Sequence, residues 1–303
     1  MFHRLKTTAL TAMILAISLL ATATHSIPEL RQGSSARYQL KVSEIYLDSG
    51  EVLTHPVNVA EPQVPNWSWS GEPVPFPATL SWTVLEVTPD HLVLRVEFSV
   101  PRMKLARVAF TGRGVCEVKG TTVFDDVTAE VTVDRRTAEG WVMGRAVGRT
   151  FYWLDEENHV DKRYLFGHSV AARVKQDKYL SKNVGKEVWS VMAEVPANPL
   201  WEVSSTAGAD KVVGFYQYDA SSGVLLEGYG AFADPVLQDV GIAFIAADEV
   251  VLSSSTGLEM GGAGESPSPP LALYSLILGL VVAATVLSYA VYRKGPKPIH
   301  RSG

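Results

Sequence analysis

HLVLRVEFSV, residues 91–100, is the stretch that decides the fold class. Leu92, Leu94, Val96, Phe98 and Val100 fall on one phase, and His91, Arg95, Glu97 and Ser99 on the other. Only a repeat of two residues sorts side chains this way, so the segment predicts a strand with one face buried and one face wet. Thr88-Pro89-Asp90 before it is a turn signal, and Leu80–Val87 leads into that turn, which predicts a hairpin.

The same pattern extends in both directions. Val123, Val127, Ala129, Val131 and Val133 read as one alternating strand interrupted at Asp125. Further strands are predicted over 37–47, 107–111, 115–119, 149–154, 162–166, 187–195, 211–218, 224–229 and 240–246. Residues 170–180 carry the one helical period in this region. Short strands divided by turn signals predict an all-β, antiparallel architecture, either a sandwich or a strongly curved sheet, and periodicity does not choose between them. Val133–Gly140 and Tyr218–Gly223 both place Asp at a strand end, then a hydroxyl residue and Gly, as turn-capping chemistry requires. They read either as two ordinary hairpins or as two related modules divided near residues 167–185.

YDASSGVLLEG, residues 218–228, resembles the Tyr-Asp-x-x-Thr/Ser-Gly-Val-Leu-Leu turn of uncharacterised prokaryotic, especially archaeal, surface proteins. Those proteins are similar in layout as well, with a signal peptide, a β-rich ectodomain, a Ser/Pro/Gly stalk and one C-terminal helix. The resemblance implies a place on the cell surface and brings no catalytic residues with it.

Both ends of the chain read as targeting segments. Arg4 and Lys6 precede an apolar run from Ala9 to Leu20, and Ala21-Thr22-Ala23 follows in the pattern signal peptidase reads, so residues 1–23 are expected to be a cleaved signal peptide. Residues 271–292, LALYSLILGLVVAATVLSYAVY, hold no charge. As a helix they would span roughly 33 Å, enough for a bilayer core. Arg293, Lys294, Lys297 and Arg301 follow, which predicts a cytoplasmic tail at 293–303 and an extracellular N-terminus. Between them lie a β-rich ectodomain, 24–252, and a stalk, 253–270, whose Gly and Ser give flexibility and whose Pro cluster stiffens its end.

Composition narrows the function classes. The ectodomain carries 21 basic against 30 acidic residues, which speaks against a nucleic-acid partner. Cys116 is the sole cysteine, so no intrachain disulfide forms and stability must come from the core. Its strand parity with Val118 predicts burial.

Signals for chemistry are sparse. Gly167-His168-Ser169-Val170-Ala171 has the outline of a nucleophile elbow, but an elbow needs a strand–turn–helix in a parallel sheet. The histidines show no metal-ligand spacing. The acidic run Asp155, Glu156, Glu157, Asn158 and Asp161 lacks the spacing of a calcium loop and reads as a solvated turn. No catalytic residue, cofactor or metal site is assigned.

The most unusual region is 55–77, HPVNVAEPQVPNWSWSGEPVPFP. Its six prolines preset an extended backbone, and Trp67, Trp69 and Phe76 lie within or beside it. Rings held on such a loop could contact an envelope protein or a glycan, although the commoner outcome is that they fold back and cap the sheet. Asn66-Trp67-Ser68 is the one N-glycosylation sequon and would place Asn66 at the surface. The sequence therefore predicts a single-pass cell-membrane protein whose ectodomain binds or builds in the envelope. The alternatives are a tethered carrier of a lipid or other apolar ligand in a curved half-barrel and, less in keeping with the scattered titratable residues, an extracellular enzyme.

Overall fold

A computed structural model describes residues 30–56, 67–69, 73–110, 116–135, 137–154, 164–195, 213–258 and 260. In chain order the strands are β1 (Ser35–Leu47), β2 (Val52–Thr54), β3 (Trp67–Trp69), β4 (Phe76–Val87), β5 (His91–Ser99), β6 (Lys104–Phe110), β7 (Cys116–Val123) and β8 (Val127–Asp134). They continue as β9 (Glu139–Val142), β10 (Arg145–Arg149), β11 (Tyr164–Phe166), β12 (Val170–Leu180), β13 (Glu187–Glu194), β14 (Val213–Asp219) and β15 (Leu225–Phe232). A short helix, α1 (Pro235–Asp239), precedes the last strand, β16 (Ile242–Thr256).

Among the described residues, twelve strands form one antiparallel ring that follows chain order: β1, β4, β5, β8, β9, β10, then β11 through β16 and back to β1. The predicted hairpin is there, with Leu80 opposite Phe98 and Trp82 opposite Val96. The ring closes between β10 and β11, where the Gly167 N–H donates to the Arg149 carbonyl at 2.8 Å. Closure removes the exposed sheet edges that an open β-structure must otherwise protect. The choice left open by periodicity resolves as a closed barrel. Six of its strands precede residues 150–163 and six follow, and the expected division near 167–185 falls on β12.

Two insertions leave the ring. β2 and β3 fall between β1 and β4, while β6 and β7 fall between β5 and β8. They join as a branch sheet in the order β1–β2–β6–β7–β3. β1 serves both sheets. Its Ser35–Val42 stretch pairs with β4, and Glu44–Tyr46 pairs with β2. Between these stretches the β1–β16 register shifts on either side of Val42, and such bulges bend a strand enough to hand it from one sheet to the other. At that point Tyr46 of β1 stacks on Phe244 of β16 at 4.1 Å, and Ile242–Ala247 is buried at every position.

Several sequence expectations are corrected, among them the strand over 149–154, of which only Arg149 lies in a strand, β10. Val170–Leu180 is strand β12, because β11 and β13 flank Ala171 and Ala172 and their ladder bonds outweigh a marginal helical period. The alternation over 123–133 is two strands, broken at 124–126, where Asp126 Oδ1 accepts the Val100 N–H at 3.1 Å. Ser253–Thr256, assigned to the stalk, belongs to β16, and Ser254–Thr256 pair with Ser35–Arg37. Both Asp-led turns form, with Asp134 Oδ1 accepting from Thr137 N–H at 2.8 Å and Asp219 Oδ1 from Ser221 N–H at 2.8 Å. In the first turn Ala138, not Gly140, takes the positive φ, at 57°.

The barrel interior is filled. Thr150–Leu154 is buried residue after residue, a pattern only a segment covered on both sides shows. It runs inside the ring and bridges at Trp153 to Val224. Phe151 stacks on Phe232 at 4.7 Å, and Trp82 meets Trp153 edge-on at 5.7 Å. α1 fills from the other end. Asp234 caps it, Pro235 supplies a preset first turn, and Pro235, Val236 and Leu237 are buried while the helix packs against β8, β9, β10 and β16. No helix among the described residues is long and apolar enough to cross a membrane. The expected signal peptide, most of the stalk, the span and the tail lie outside the described residues.

Candidate functional site

The outer wall carries an open groove of about 730 Å³ on β16, β1, β4 and β5. Its chemistry follows from alternation. Tyr38, Leu40 and Val42 turn inward, so Arg37, Gln39 and Lys41 must turn out. The ladder then aligns three rows across the strands. Gln39, Thr79 and Ser99 stand opposite one another as an amide and two hydroxyls. On one side Arg37 opposes Ser81, and on the other Lys41 opposes Pro77 and Glu249. Pro101 and Val251 add apolar edges.

Charge in the groove is partly spent. The Lys41 ammonium is paired with the Glu249 carboxylate, and that hydrogen bond raises the lysine pKa above its ordinary value. Arg37 is exposed and makes no ion pair among the described residues. The groove thus offers one uncommitted guanidinium beside a row of neutral donors and acceptors. Such a surface can hold an extended polar chain by hydrogen bonds, and it sets no nucleophile beside a base.

The sequence-predicted residues lie elsewhere. Trp67 and Trp69 belong to β3, with Trp67 opposite Val118 and Trp69 opposite Cys116. Trp69 is 7 % exposed and Phe76 2 %, so both rings are core and neither presents a binding face. The reason is pairing: a strand partner in β7 draws Trp69 into the branch, and Phe76 opens β4 with its ring inward. Asn66 and the acidic run at 155–161 lie outside the described residues. His168 and Ser169 sit at the barrel seam, held by Gln238. Its Oε1 accepts the His168 N–H at 2.8 Å, and its Nε2 donates to Ser169 Oγ at 2.7 Å. The His168 ring instead meets the Ala146 carbonyl at 3.2 Å. This geometry latches two strands and does not arm a serine.

Cys116, in β7, is buried, as expected. Burial pushes its thiol up to about 11, and the nearby Glu44 charge adds to the effect, so at neutral pH it stays protonated and a poor nucleophile. Glu44, also raised by burial, accepts from the Tyr46 hydroxyl at 2.5 Å. Among the described residues no group of His, Cys, Asp and Glu is placed to hold a metal ion.

The groove was hidden from sequence reading by one missing quantity. The outward phase of β1 is legible, but the strands that flank β1 are not adjacent to it in the chain, and β16 lies about 200 residues away. No protein-family model, curated protein or solved structure matches the chain. Function is therefore argued from the site alone.

Proposed function

We propose that the chain is a membrane-anchored cell-surface protein whose barrel serves binding in the envelope, with the β16–β1–β4–β5 groove as its recognition face. The observation that carries this reading is the contrast between the two sides of the wall. Aromatic rings fill the interior, while the outer face keeps a concave row of Gln39, Thr79 and Ser99 with Arg37 beside it. A tethered lipid carrier would ask for an apolar hollow, and the rings occupy that place. The ends of the barrel also suit a tether. Ser35 and Thr256 pair with each other, so both termini of the barrel leave from one end. α1 and the Met143–Gly144 turn lie at the opposite end.

The test is a soluble fragment, residues 24–261, assayed for retention on isolated cell envelopes. Gln39→Arg with Thr79→Arg, both on the outer face, should reduce retention about tenfold or more, since interface centres concentrate binding energy. The melting temperature should stay within about 3 °C of the parent, as surface substitutions are near neutral. Unchanged retention would remove the groove from the account.

A further inference from the structure

We infer that Asp234 is a proton-operated latch: taking up one proton on mild acidification tightens α1 in the barrel and, through α1, the β10–β11 seam. The geometry is specific. Asp234 is wholly buried and caps α1, with Oδ1 accepting the Val236 N–H at 2.9 Å. Its other oxygen, Oδ2, makes no hydrogen bond of standard geometry among the described residues. The Tyr152 phenol lies beside the carboxyl and favours its charged form, yet neither the phenol oxygen nor Oδ2 completes a hydrogen bond of standard geometry. Tyr38 Oη, Trp82 Nε1 and Trp153 Nε1 are buried as well without a hydrogen bond of standard geometry, Tyr38 lying beside Trp82, and the rings of Trp82, Tyr152 and Trp153 stand 5.7 to 6.1 Å apart. An ionised carboxylate in this chamber is desolvated with one oxygen poorly paired, which is costly. A proton on Oδ2 removes the buried charge and leaves the Oδ1 cap in place.

The connection to the seam is one helix long. Asp234 opens α1, and Gln238 near its end holds His168 and Ser169 across from β10. No charge in the packing elements substitutes for the proton. The buried residues facing α1 are apolar: Val131 and Val133 of β8, Gly140 and Val142 of β9, Val147 of β10, Ala243 and Ile245 of β16. The titratable neighbours inside are Tyr152 and, behind it, Tyr38. Charged residues of those elements are exposed or half-buried: Glu130 and Asp134 of β8, Glu139 of β9, Arg149 of β10, Asp248 and Glu249 of β16. Arg145 of β10 is paired with Asp239 at 2.6 Å.

Burial raises the Asp234 pKa to about 6, opposed in part by Tyr152 and the helix N–H groups. An acid whose folded value lies above its unfolded value stabilises the fold at low pH and withdraws that stability as pH rises through the folded value. With an unfolded value near 3.8, the folding equilibrium constant should rise about tenfold from pH 7.5 to pH 5 through this group alone. The experiment is denaturant unfolding of the full ectodomain at both pH values, for the parent and for Asp234→Asn, which keeps the capping oxygen and cannot titrate. The parent should gain about tenfold more than the variant between the two pH values. Glu44 is common to both proteins and cancels in the difference. If Asp234→Asn does not fold, Tyr152→Phe decides: loss of the hydroxyl that favours the charged form should move the transition to higher pH. Parallel pH profiles for parent and Asn variant, or an unmoved transition in Tyr152→Phe, would overturn the latch.

Discussion

Gly148→Ala is expected to destabilise the ectodomain by about 4 kcal/mol or more, placing it among the severe single substitutions. Gly148 lies in β10 with φ at 83°, and a Cβ built there overlaps the carbonyl oxygen, carbon and Cα of Gly167. Those atoms are backbone and belong to the residue whose bridge to Arg149 closes the ring, so no rotamer change relieves the clash. The seam must part, and β10 and β11 then become open sheet edges. Gly144→Ala is the control. Its φ is 80°, but nothing lies within 4 Å of the added carbon, so it should cost only the left-handed penalty of about 1–2 kcal/mol. Urea unfolding followed by tryptophan fluorescence compares the two. Equal costs would mean that the barrel is not closed where Gly148 meets Gly167.

Trp82→Ala should cost about 3–5 kcal/mol, the range for emptying a large aromatic site in a packed core. Trp82 is fully buried on the inner face of β4 and packs against Tyr152 and Trp153 of the interior segment. Its indole N–H makes no hydrogen bond of standard geometry and lies beside the Tyr38 hydroxyl, so most of the cost is contact and cavity. Trp141, half-buried on β9, removes the same atoms at smaller loss, and Trp141→Ala should cost well under half as much. Similar melting curves for the two variants would contradict a filled barrel.

The strands were legible because alternation is local. His91–Ser99 reads its own burial off its own residues, and the structure returns that pattern position by position. What alternation cannot carry is a segment buried on both faces. The strand expected over 149–154 does not form: β10 ends at Arg149, and Phe151-Tyr152-Trp153-Leu154 is an irregular segment with one bridge at Trp153, whose place inside the ring depends on walls drawn from both halves of the chain. Val170–Leu180 failed for the same reason in reverse, since two neighbouring strands supplied the ladder that its own period did not announce. Asp234 gave no signal either. Asp-Pro ahead of an apolar pair is ordinary helix-start chemistry, and only the closed barrel converts the cap into a buried acid. Trp69 and Phe76 show the limit of reading aromatic residues as contacts, because whether a ring faces out depends on the strand it pairs with.

Surface display is the claim on which the rest of the function depends, and single cysteines test it directly. Cys116, the sole native cysteine, is buried with its thiol protonated, so background labelling should be low. Met143 is 98 % exposed at the β9–β10 turn, and Ser302 belongs to the expected cytoplasmic tail. On intact cells, a membrane-impermeant maleimide should label Met143→Cys at once and Ser302→Cys only after permeabilisation. Labelling of Ser302→Cys on intact cells, or protection of Met143→Cys until lysis, would contradict an ectodomain held outside the membrane.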